Sequence, residues 1–144
     1  MLLKIENYYN RGEEVIIPLE KQGQIVEFED FSREIVGDIV VESVNFSRAT
    51  FKEAGLFKDR LVYDILRNNL KIVIDLNRCE YVDSTFLGSL VVVLKKMAER
   101  GGEIKYVIPQ PSAIYLFKIT GLYGVLNLYR NKEEAINSFL QAQG

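Results

Sequence analysis

Leu70-Lys71-Ile72-Val73-Ile74-Asp75-Leu76 is a largely apolar, β-branched run, as a central strand covered on both faces should be. Tyr81-Val82-Asp83-Ser84-Thr85-Phe86-Leu87-Gly88 then turns the chain from that strand into a helix expected to reach about Arg100. Leu87, Leu90, Val91, Leu94 and Met97 define its apolar stripe, and Val92 and Val93 make it greasier than a surface helix. Gly101-Gly102 ends it, with Lys95, Lys96 and Arg100 in the last turns, where cations suit the helix dipole. Downstream, Ile104 to Ile108 reads as a strand, residues 112 to 120 as a short helix with Ala113, Leu116 and Phe117, Val125 to Tyr129 as a last strand, and residues 132 to 142 as a last helix. Upstream, residues 54 to 68 place Phe57, Leu61 and Ile65 at helical spacing, widened by Val62 and Leu66, and Ile39 to Val44 is a strand after the turn-like Gly37-Asp38.

Strand and helix alternating in this way imply right-handed crossovers and an α/β fold. The expectation is a small mixed, largely parallel β-sheet with about four packed α-helices, on one side or split unevenly. Residues 1–31 break the rhythm and are read as an N-terminal extension. Residues 14–19 and 24–28 form a candidate hairpin around Gly23, with Pro18 suited to an edge strand, and the domain proper is expected over 32–144.

Composition narrows the function. A chain of 144 residues, 48% hydrophobic and 26% charged, suits one globular domain. A net charge of −2 argues against direct nucleic-acid binding, which needs a basic surplus to neutralise phosphates. With no histidine there is no Ser-His-Asp triad, and with Cys79 alone there is neither an internal disulfide nor a thiolate zinc site. Cys79 reads as a small space-filling residue. The longest apolar stretch, Leu87 to Leu94, is far short of the roughly 20 residues of a membrane span, and the first residues lack an apolar signal core. No membrane association, no metal and no cofactor are expected, and placement is expected to be cytoplasmic.

Chemistry concentrates at Asp83-Ser84-Thr85. Plain capping accounts for these residue types, since their side-chain oxygens accept the free N–H groups of a helix start. The same geometry favours negative charge, so a phosphoryl group on Ser84 would sit at an anion-friendly position. Both readings are open on physical grounds. A hydrolase using Asp75, Asp83 and Ser84 is a weak third, because without histidine only a lysine or a carboxylate could activate the serine.

Asp83-Ser84-Thr85-Phe86-Leu87-Gly88 resembles the Asp-Ser-Ser-Gly-Leu-Gly signature of the anti-sigma factor antagonists of the STAS-domain family. Lys71 to Asp75 is similar to the strand before that signature, Arg100-Gly101-Gly102-Glu103-Ile104 to the glycine pair before the next strand, Ile119-Thr120-Gly121-Leu122 to the turn after the third helix, and Ala49 to Leu61 to the start of the first helix in some members. The resemblance covers roughly residues 32 to 142.

It implies a STAS-like fold and a non-enzymatic binding role. Asp83, Ser84, Thr85, Phe86, Leu87 and Gly88 would form the partner-binding segment, with Ser84 the phosphorylation site. The implied partner is an anti-sigma factor that is also a serine kinase, bound while Ser84 is unmodified so that a sigma factor is released. Phosphorylation would break that complex, and a separate phosphatase, acting on the phosphorylated form, would restore it. Homodimerisation stays open. Two positions depart from the signature: Thr85 replaces the second serine and keeps a rival hydroxyl, and Phe86 replaces a glycine. Phe86 is read as a core residue at the border of the apolar stripe, with an exposed anchor for the partner as the alternative. The rival function, also within the family, is a scaffold or regulatory subunit of a stress-signalling or transporter assembly.

Overall fold

A computed structural model of the chain describes residues 3–5, 15–17, 30–107 and 111–141. Strands β1 (Leu3–Ile5) and β2 (Val15–Ile17) pair antiparallel with each other. The strand expected in 14–19 therefore takes residues 3–5 as its partner, and the arm expected at 24–28 lies outside the described residues.

The main sheet starts at Phe31. Strand β3 (Phe31–Val36) runs into β4 (Ile39–Val44) through a turn in which Gly37 adopts φ +61°, a conformation open to glycine because it has no Cβ. Then follow β5 (Arg48–Ala49), α1 (Phe51–Leu66), β6 (Lys71–Asp75), β7 (Tyr81–Val82), α2 (Ser84–Glu99), β8 (Glu103–Val107), α3 (Pro111–Ile119), a single 3-10 turn (Leu122–Gly124), β9 (Asn127–Tyr129) and α4 (Lys132–Gln141). The five-stranded sheet has the order β3-β4-β6-β8-β9, antiparallel only between β3 and β4. This is the mixed, largely parallel sheet with four helices expected from the alternation. β3 itself had no clear sequence signal, because Arg33 and Glu34 interrupt its apolar pattern.

The helices divide unequally between the faces. Val40, Val44, Ile72, Ile74, Ile104 and Tyr106 face α1 and α2 in the larger core, which Phe117 of α3 also joins. Ile39, Val41, Val73 and Val107 face Ala135 and Phe139 of α4. The expected 3.6-residue stripes are present but rotated. In α2 the fully buried line is Phe86, Leu90, Val93 and Met97, with Leu87 beside it, whereas Val91 and Leu94 are half-buried. Phe86 thus belongs to the centre of the buried face rather than its border: α1 packs along that side of α2, and the Phe57 and Phe86 rings stack with centroids 5.5 Å apart. Gly102 is required by proximity, because a Cβ there would lie 2.8 Å from the Leu70 carbonyl oxygen.

In α1, Leu66 is 62% exposed and does not widen the stripe; Arg60 and Asp64 are buried instead. They meet Glu42 of β4, which is fully buried. Arg60 Nε donates to Glu42 Oε1 at 2.7 Å, Arg33 Nε donates to Glu42 Oε2 at 3.1 Å, and Arg33 Nη2 lies 2.9 Å from Asp64 Oδ1. Burial first, and then a hydrogen bond with Glu42, raise the Asp64 carboxyl to about 8 against the attraction of Arg33 and Arg60. Asp64 Oδ2 is buried with no hydrogen-bond partner. The cluster therefore packs two buried carboxyl groups, one of them held towards its neutral form, against two guanidiniums, of which Arg33 reaches solvent.

Among the described residues, no helix is long and apolar enough to cross a membrane, and no three acidic or cysteine side chains group to hold a metal ion.

Candidate functional site: two helix starts on one carboxylate

The short strands β5 and β7 are parallel, with Arg48 opposite Tyr81 and Ala49 opposite Val82. The Asp83 N–H donates to the Ala49 carbonyl at 2.9 Å and carries the register one residue further. Both strands lead directly into helices, so α1 and α2 start side by side. Thr50 caps α1: its Oγ1 accepts from the Lys52 N–H at 3.3 Å, and Glu53 Oε2 accepts from the Thr50 N–H at 3.0 Å. Thr50-Phe51-Lys52-Glu53 is a reciprocal capping box, a pattern visible in the sequence that sets the helix start at Phe51 rather than 54.

Asp83 is the N-cap of α2, and its carboxylate serves both helices. Oδ1 accepts from the Phe86 N–H at 2.8 Å, as an N-cap should. Oδ2 accepts from the Phe51 N–H, the first of α1, also at 2.8 Å. Two macrodipoles, each worth roughly half a positive charge at its N-terminus, thus converge on one side chain.

Around this point Ser84, Thr85 and Gly88 are exposed and Asp83 is half-buried, while Phe86 and Leu87 are buried at 0% and 1% exposure. The last two support the segment from beneath and present no side-chain surface. Beside Asp83 lies an open groove of about 360 Å³ that also includes Arg48, Phe51, Lys52 and Tyr81. The Arg48 guanidinium sits over the Tyr81 ring at 4.3 Å, a cation–π contact, and Phe51 is 65% exposed. Of the groove residues only Asp83 was expected from the sequence as a site residue; Arg48, Phe51, Lys52 and Tyr81 were not.

Among the described residues, no hydrogen bond joins Ser84 to Asp75 or Asp83. Both Asp83 oxygens are taken by backbone N–H groups, and Asp75 Oδ1 accepts from the Asn77 N–H at 2.9 Å. Cys79 is fully buried, and its thiol is pushed up to about 12 by burial and then by the charges of Asp75 and Glu53, so it is an inert space-filler.

The family model for the STAS domain matches residues 34–135. The chain belongs to the STAS domain family. A protein of Thermotoga neapolitana that carries the name anti-sigma factor antagonist provisionally is 30% identical over 107 residues, 74% of this chain and 94% of that protein. The crystal structure of a Thermotoga maritima protein given the same provisional name superimposes with a TM-score of 0.68 at 26% identity, over 75% of this chain and 92% of that one. SpoIIAA, the Bacillus cell fate determinant solved in its phosphorylated form, shares the fold with a TM-score of 0.61 at 20% identity, over 76% of this chain and 98% of its own. The matched region of this STAS domain runs from β3 into α4 and contains both helix starts and the whole Asp83–Gly88 segment.

Proposed function

We propose that this STAS domain is a phosphorylation-switched binding module, not an enzyme, that acts as an anti-sigma factor antagonist. With Ser84 unmodified it binds an anti-sigma factor that is also a serine kinase, and a sigma factor is released. The kinase transfers the γ-phosphoryl group of ATP to Ser84: the Oγ–P bond forms, the bond to the β-phosphate oxygen breaks, and the hydroxyl proton leaves. Phosphoserine adds about −1.5 to −2 charge beside Asp83, so the partner-facing surface turns strongly anionic and the complex separates. A phosphatase removes the group.

The observation that carries this reading is the setting of Ser84: exposed, the first residue of α2 and directly after the N-cap Asp83. A phosphate there lies over the helix N-terminus, where the N–H groups of the first turn offset part of its charge and the fold survives. Ser84, Thr85 and Gly88 offer the contact surface, Asp83 orients it, and Phe86 and Leu87 hold it in place from the core.

Incubation with the cognate kinase and ATP, followed by mass spectrometry, tests the assignment. Phosphate is expected on Ser84 alone and is abolished by Ser84→Ala. Phosphate on Thr85 with Ser84 unmodified would sink it.

A further inference from the structure

The Asp83 carboxylate makes one bond within its own helix and one to a helix that starts 32 residues earlier in the chain. The Phe86 N–H is tied to it locally, since Asp83 and Phe86 are three residues apart. The Phe51 N–H is held only because β5 and β7 deliver the two helices side by side. From this juxtaposition we propose that Asp83 is a positioning residue that couples the state of Ser84 to the first turn of α1, so that phosphorylation loosens the Phe51 end of the neighbouring groove as well as changing the charge at Ser84. The inference rests on the phosphorylation reading above and adds a regulated surface: Phe51 and Lys52 of α1, with Arg48 and Tyr81 of the β5–β7 ladder.

The physical argument is competition at one anion site. A helix start presents unpaired N–H groups; in α2 Asp83 takes that of Phe86, and those of Ser84 and Thr85 are the ones nearest a phosphate on Ser84. A dianion seated there lies next to the Asp83 carboxylate and repels it. The local bond to Phe86 closes a short ring and holds. The bond to Phe51 joins separate elements at the surface and is the one that can open without unfolding either helix, because the capping box of Thr50 and Glu53 continues to hold the rest of the α1 start. Phe51 is largely exposed, so its movement changes what the groove presents to a partner.

The test uses the full chain with phosphoserine incorporated at position 84 during synthesis, and follows amide hydrogen exchange by NMR. The Phe51 amide is expected to exchange about tenfold faster in the phosphorylated protein than in the unmodified one, the size of losing one capping bond, while amides in the middle of α1 are unchanged. In Asp83→Ala the Phe51 amide is already fast, and phosphoserine adds no further acceleration. Unchanged or slower exchange at Phe51 on phosphorylation overturns the coupling, and so does an equal acceleration in the Asp83→Ala background. The wild-type comparison alone is decisive if Asp83→Ala does not fold. Because no kinase is involved, a failure here is separate from a failure of Ser84 to be phosphorylated by its kinase, which would remove the proposed function instead.

Discussion

Two groups of carboxyls contact α1, and they are handled in opposite ways. At its first turn Asp83 is half-buried and meets only backbone N–H groups, from Phe51 and Phe86. At its middle, Glu42 and Asp64 are buried and meet guanidiniums, from Arg33 and Arg60. A carboxylate at a helix start stays near water and is stabilised by dipoles that exist whatever its charge state. A carboxylate in the core loses its hydration and must find counter-charges or keep its proton, and this cluster does both. The first arrangement can be altered at modest cost and suits a switch. The second locks β3, β4 and α1 together and tolerates little change.

Removing a partner from the inner group should break the contrast most severely. Arg60→Ala leaves Glu42 buried with Arg33 alone and strips the arginine stem from the core, so we expect a loss of about 3 kcal/mol in denaturant unfolding. Asp83→Ala removes two capping bonds instead, each worth about 1 kcal/mol, and should cost about 2 kcal/mol by the same measurement. If Asp83→Ala were the more damaging of the two, the division between a locked core and an adjustable rim would fail.

The inner group should also be distinguishable by pH. The Asp64 carboxyl is raised in the folded state from an ordinary 3.8 to about 8. The folded protein therefore binds the proton more tightly than the unfolded chain, and the associated stability is complete below about pH 4 and is lost as the pH rises towards 8. Asp64→Asn keeps a neutral side chain at every pH. Its stability relative to the wild type should improve by about 2 kcal/mol between pH 6 and pH 8, measured by urea unfolding at each pH. A difference that stays flat across that range would mean that Asp64 is ionised in the fold. The smallest effect is expected at the rim: Ser84→Asp should shift stability by less than about 0.5 kcal/mol while weakening binding to the anti-sigma factor, since its charge lands in solvent at an anion-tolerant helix start.

The order of the main-sheet strands and the helices from residue 39 onward was legible in the sequence, because period 2 and period 3.6 and the glycine turns are local signals, whereas the two-residue strands β5 and β7 are too short to carry one. That Asp83-Ser84-Thr85 open α2 with capping side chains was legible for the same reason. β3 was not, since its Arg33 faces a buried carboxylate that no local pattern announces. The boundaries of the apolar stripes were misplaced where a neighbour sets them. Val91 and Leu94 lie toward the edge of α2 and Phe86 at its centre, because α1 runs along that side.

By itself, then, the chain determines the four helices and the strands at Ile39–Val44, Lys71–Asp75, Glu103–Val107 and Asn127–Tyr129, and that α2 opens at Asp83-Ser84-Thr85. Those outcomes depend on residues within a few positions of one another. The tertiary structure alone decided that the second oxygen of Asp83 would cap α1, that Phe86 would stack on Phe57, and that Glu42 would meet Arg60. Each of these joins residues 18 to 32 positions apart, and which side chains meet across such distances is set by the order of strands in the sheet and the side on which each crossover helix packs.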